Sequence, residues 1–235
     1  VSAGGEVSDI RQVVSPVMKN DAKSTFYHID FSFDQLRLGG SAFAQSQGYV
    51  GSDVPTVKNP DYFREAFNAV QQLVKKGWIM AGHDISAGGL ITTLLEMTFA
   101  NTEGGIDVNL DKFKTDDLVR VLFAENPGVV VQVADKHKKD FKALLDDAGV
   151  GYVKIGKPAE ERQIMVTLGD ATYQFGIDYL RDVWYETSYL LDTKQSMNGC
   201  AKQRYENYKQ QPLEYHIHPE FTGKFSQFGL NPDRR

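Results

Sequence analysis

The chain has 235 residues, 41% of them hydrophobic and 24% charged, enough for one large or two small domains with a packed core. Lys plus Arg number 26 against 31 Asp plus Glu, and the resulting net charge of −5 argues against a nucleic-acid surface. No apolar run is long enough to span a membrane, no signal peptide opens the chain, and Cys200 has no second cysteine with which to form a disulfide or thiolate cluster, which together predict a cytoplasmic protein.

Residues 1–22 show no clear period, with Pro16 interrupting a run that includes Val13, Val14, Val17 and Met18. From Thr25 to Phe33 the residues alternate in the period-two pattern of a half-buried strand. The stretch LRLGGSAFAQ within 33–46 predicts a glycine turn followed by a helix, and 48–58 reads as an exposed loop. Asn59-Pro60-Asp61 is a helix start with an N-cap, a proline at the first helical position and an acid in the first turn. Phe63, Ala66, Phe67, Val70, Leu73 and Val74 supply the buried face of that helix, and Gly77 is placed to end it.

A short apolar strand is predicted over 78–82 and a helix over 87–100. Further strands are predicted at 105–110, 128–133, 152–155, 163–168 and 171–175, the last two forming a hairpin around Gly169-Asp170. The 128–133 strand is apolar throughout, as in a strand buried on both faces. Helices are predicted at 116–123 and 135–148, and another begins near Tyr179, after which 193–211 turns polar. Residues 212–235 are rich in aromatic and turn residues without a period. Strands interleaved with helices, plus one hairpin, define an α+β fold with a mixed sheet packed by helices.

The most informative stretch is His83-Asp84-Ile85-Ser86-Ala87-Gly88-Gly89-Leu90, which joins the 78–82 strand to the helix carrying Ala87, Leu90, Ile91, Leu94 and Leu95 at helical spacing. A helix start offers free N–H groups and a positive dipole end to phosphate oxygens. A carboxylate in the same turn can hold the Mg²⁺ that a phosphate brings. The competing interpretation, that Asp84 or Ser86 merely caps the helix and the glycines serve packing, has equal weight on these residues alone. Leu38-Gly39-Gly40-Ser41 has the same ambiguity, between a phosphate cradle and a plain turn.

HDISAGGLITTLLEM resembles the motif that opens the main helix of the C-terminal lobe in the aminoimidazole-ribonucleotide-synthetase-like superfamily. FANTEGGIDVNL and LFAENPGVVVQV are similar to the large, single-chain formylglycinamidine ribonucleotide synthases of that superfamily, and the similarity extends from GEVSDIRQVVSP to KFSQFGLNPDRR. The resemblance implies an ATP-dependent carbon–nitrogen ligase of purine biosynthesis with glutamine as amide donor. Such an enzyme converts formylglycinamide ribonucleotide, ATP and glutamine to formylglycinamidine ribonucleotide, ADP, phosphate and glutamate. It further implies Asp84 as a Mg²⁺ ligand, Ser86 as a contact of the bound ATP or ADP, and a glycine-rich element at Gly39, Gly40 and Ser41 near the nucleotide. The loop at 84–86 is expected to serve an auxiliary nucleotide site.

On the same resemblance, 1–22 would end a preceding N-terminal lobe, 23–177 would form the synthetase C-terminal-like lobe, and 178–235 would be a helix and connector toward a glutamine amidotransferase domain. A start at Val1 without an initiator Met fits an excised piece, whose partners would be the other lobes of the same polypeptide and which alone would be inactive. Residues 1–22 and about 195–235 are expected to exchange their amides fastest. Alternatives are another superfamily member (an aminoimidazole ribonucleotide synthetase, selenophosphate synthetase or thiamine-monophosphate kinase) or a non-catalytic scaffold lobe. His83 reads as a hydrogen-bonded structural residue, Glu96 as solvent-facing, Cys200 as inert, and His216 and His218 as part of an aromatic surface loop.

Overall fold

The structure, a computed structural model, describes residues 13–207 together with 210, 224 and 229. The expectations for 1–12, and for the aromatic C-terminal stretch with His216 and His218, lie outside the described residues.

Seven strands form one mixed sheet: β1 (Ser24–Asp30), β2 (Ile79–Asp84), β3 (Gly105–Asn109), β4 (Gly128–Ala134), β5 (Tyr152–Ala159), β6 (Gln163–Leu168) and β7 (Ala171–Gly176). Their order is β2-β4-β1-β5-β3-β6-β7, with every neighbouring pair antiparallel except β3 and β6. The β6–β7 hairpin pairs Leu168 with Ala171 across the glycine turn, as its sequence predicts. The Val-rich β4 lies between β2 and β1, and a strand covered on both faces needs its near-continuous apolar run.

Seven helices accompany the strands among the described residues: α1 (Ala42–Ser46), α2 (Pro60–Lys75), α3 (Gly89–Phe99), α4 (Leu118–Phe123), α5 (Lys138–Asp147), α6 (Ile177–Gln195) and α7 (Cys200–Asn207). On one face of the sheet Phe26, Val130, Ile155 and Ile164 meet Leu90 and Leu94 of α3, Val121 and Leu122 of α4, and Ile177 of α6. On the other, Tyr27, Ile29, Val131 and Val133 meet Ala66, Ala69 and Leu73 of α2 and Phe141 and Leu145 of α5. The alternation in β1 therefore separates two cores. It does not separate core from solvent, and β1 is buried on both faces rather than half-buried.

Asn59 caps α2 by accepting from the amides of Asp61 at 3.0 Å and Tyr62 at 3.2 Å. Phe67, assigned above to the buried face, is exposed, because the helical phase that buries Ala66, Ala69 and Leu73 turns it outward. Residues 13–22, expected to end a preceding lobe, dock on the sheet. The Met18 side chain is buried in the first core, its amide donates to Met97 at 2.9 Å, and the Lys19 amide donates to the Gln132 side chain at 2.8 Å. At the other end, α7 occupies part of the stretch read above only as polar.

Candidate functional site

The turn between β2 and α3 is pinned from below. The Ile85 side chain enters the first core and its amide donates to Gly128 at 2.8 Å, so Asp84 and Ser86, one residue to either side, face outward and are exposed. The Asp84 carbonyl accepts from the Thr93 hydroxyl at 3.1 Å, which ties the turn to the first full turn of α3. Beneath it, His28 Nε2 would lie 3.1 Å from a Cβ at position 128, so a glycine there leaves room for the ring. Burial lowers the His28 pKa to about 4, and the ring is neutral at physiological pH.

Neither Asp84 nor Ser86 caps α3. The N-cap is Gly88, left-handed at φ 88°, and it makes no side-chain cap bond. The capping interpretation that competed at this turn is therefore not realised, and the Asp84 carboxylate stands 72% exposed. The glycines do serve packing. A Cβ at Gly89 would lie 2.7 Å from the Leu122 carbonyl oxygen, at a φ of 70° that favours glycine. The close approach is made by the end of α4, another segment of the chain.

Two carboxylates that the sequence did not single out as functional complete the surroundings. Glu125 Oε1 accepts from the Gly88 amide at 2.8 Å and from the Ala42 amide at the start of α1 at 2.7 Å. Glu96, expected in solvent, is half-buried: Oε1 accepts from Trp184 Nε1 of α6 at 3.0 Å, and Oε2 lies 3.3 Å from His83 Nε2. His83 Nδ1 in turn lies 2.8 Å from the Asp84 carbonyl and 3.3 Å from its carboxylate. A continuous polar chain thus runs from α6 to Asp84, and His83 is hydrogen-bonded as expected. The only sequence signal for Glu96 was that it faces away from the apolar stripe. For Glu125, it was an acid directly before a buried strand.

The Gly39–Ser41 turn departs from the phosphate-cradle expectation. The amides of Gly39, Gly40 and Ser41 donate to the carbonyls of Asp53, Val50 and Leu38, so none of the three is spare for a ligand oxygen. The Ser41 hydroxyl donates to Leu38 at 2.6 Å and accepts from Ala44, capping α1. Gly39 is a glycine because a Cβ would fall 2.6 Å from the Asp53 backbone. Arg37 pairs with Asp34 and Asp53 to close this strap, and its guanidinium holds the Asp34 carboxyl below the usual carboxylate range.

Among the described residues, no group of three or more His, Cys, Asp or Glu stands close enough to hold a metal. Asp84 thus offers one hard oxygen donor, which suits Mg²⁺ bound through a carboxylate together with water and phosphate and does not suit an all-protein cage. A groove of about 310 Å³ opens beside it, lined by Val14, Pro16, Val70, Gly82, His83 and Asp84.

Residues 32–169 match the family model described as AIR synthase related protein, C-terminal domain, and the chain belongs to that family. It is 32% identical over 212 residues to an Arabidopsis thaliana protein named probable phosphoribosylformylglycinamidine synthase, chloroplastic/mitochondrial, covering 89% of this chain and 15% of the relative. It is 33% identical over 207 residues to the phosphoribosylformylglycinamidine synthase of Homo sapiens, covering 86% of this chain and again 15% of the relative. The chain therefore spans about one-seventh of the length of these relatives. Among solved structures, Thermotoga maritima PurL complexed with ATP shares the fold at a TM-score of 0.57 and 14% identity, covering 73% of this chain and 28% of that one. The resemblance read from the motifs is thus borne out.

Proposed function

We propose that this chain is one lobe of a formylglycinamidine ribonucleotide synthase and that its β2–α3 turn contributes to a Mg-adenine-nucleotide site. The observation that carries the proposal is the outward pair Asp84 and Ser86 on a turn pinned from below, with the Asp84 carboxylate unused by any cap. In the whole enzyme, ATP would phosphorylate the formyl amide oxygen, and ammonia released from glutamine would displace phosphate to give the amidine. Mg²⁺, when bound, would neutralise phosphate charge. Asp84 would hold the ion by one oxygen and Ser86 would donate a hydrogen bond to the nucleotide. The site would be an auxiliary nucleotide site, distinct from the catalytic one, and this lobe alone would give no turnover. Its partners would be the other lobes of the same polypeptide and a glutaminase domain.

With the amides of Gly39–Ser41 engaged in the chain, we give that turn a positioning role rather than a nucleotide contact. No helix among the described residues is long and apolar enough to cross a membrane, and a cytoplasmic location is part of the proposal. A scaffold role is the second interpretation, favoured by one observation: the Gly88 amide, which could meet a phosphate, meets Glu125. Nucleotide retention by the full-length enzyme with Asp84 replaced separates the two, since a scaffold turn binds no nucleotide to lose.

A further inference from the structure

We infer that Glu125 is a positioning residue for the Asp84–Ser86 turn, holding two helix starts at a fixed separation through one carboxylate oxygen. The inference rests on the nucleotide reading above for its functional consequence and on geometry alone for the clamp. Glu125 Oε1 receives the Ala42 amide at 2.7 Å and the Gly88 amide at 2.8 Å, from segments 83 and 37 residues away in sequence. Gly88 is the N-cap of α3, and Glu125 supplies its amide with an acceptor from outside the turn. A negative charge at that end of α3 also complements the helix dipole.

The neighbourhood makes the clamp stiff. Gly89 lies against the backbone of Leu122 and Phe123, two to three residues before Glu125. Next in sequence, Asn126 is buried and donates to Ser32 at 3.2 Å and Gln35 at 3.0 Å, and accepts from the Arg37 amide at 3.1 Å. The backbone that carries Glu125 is therefore tied to the segment that leads into Gly39. Because Gly88 is four residues from Asp84 and two from Ser86, fixing its amide fixes the turn from which both project.

The test measures Glu125→Ala and Glu125→Gln beside wild type in the full-length enzyme. Amide exchange at Gly88 and Ala42 should accelerate in Glu125→Ala, and Mg-ADP affinity should fall about tenfold, since misplacing a donor weakens every bond that depends on its position. Glu125→Gln keeps an acceptor oxygen of the same reach and should restore most of both, a rescue that simple loss of folding stability would not give. Unchanged exchange at Gly88 and Ala42 in Glu125→Ala overturns the clamp. Faster exchange with undiminished Mg-ADP affinity overturns its positioning role. If Asp84→Asn binds Mg-ADP as tightly as wild type, the nucleotide reading has failed instead, and the exchange data still decide the clamp.

Discussion

At the scale of single residues, the candidate site is built from exposed groups on a buried support. Asp84 and Ser86 were legible because an acid and a hydroxyl flank an apolar residue in a strand-to-helix turn. Glu125 and Glu96 were not, because the amides and the indole that donate to them lie 37 to 88 residues away and nothing local marks an acid that will meet a distant donor. His28 gives a pH-dependent prediction. Its folded pKa is about 4 against an ordinary 6.5, so between those values the unfolded chain takes up a proton that the folded chain refuses. The stability associated with neutral His28 is complete above about pH 6.5 and declines as pH falls toward 4, by at most about 3 kcal/mol. The carboxyls of Asp34, Asp111 and Asp192 are lowered by their hydrogen-bond partners, so their contributions are lost only at more acid pH, outside this window. Denaturant unfolding at pH 7 and pH 5 should show a smaller loss in His28→Gln than in wild type. Equal losses would remove His28 as the cause.

At the scale of elements, all seven strands and most helices were readable from periodicity and turn residues, since alternation, apolar runs and the Asn59-Pro60 start are local signals. The helix α7 was missed because its face is polar and only Ala201 is buried. The double burial of β1 was missed because an alternating pattern cannot say whether its second face meets water or another helix layer. Two substitutions test the helix starts. Asn59→Ala should cost about 1 kcal/mol in denaturant unfolding, the usual value of a lost N-cap. Gly89→Ala should cost more, about 2–4 kcal/mol, because it adds a Cβ at positive φ against the Leu122–Phe123 backbone. A loss below 1 kcal/mol at Gly89 would mean that α4 can retreat from α3.

At the scale of the whole molecule, the described part of 1–22 packs against α3 and the sheet. The Met18 amide, bonded to Met97 and attached to a buried side chain, should exchange as slowly as amides of α3, against the fast exchange expected from sequence. Fast exchange there would restore this segment to a neighbouring lobe. The chain as a whole presents Asp84 beside a groove whose wall includes Val14 and Pro16 of the same segment, so its docking also shapes the candidate site. The central claim, that Asp84 holds the cation of a bound nucleotide, is tested most directly by the nucleotide content of purified full-length enzyme with Asp84→Asn, read beside thermal melting. Asn keeps the size and loses the charge that a hard cation needs. The account predicts an unchanged melt of the nucleotide-stripped protein and nucleotide content reduced to a minor fraction of wild type, with Ser86→Ala reduced less. Full occupancy in Asp84→Asn would contradict it.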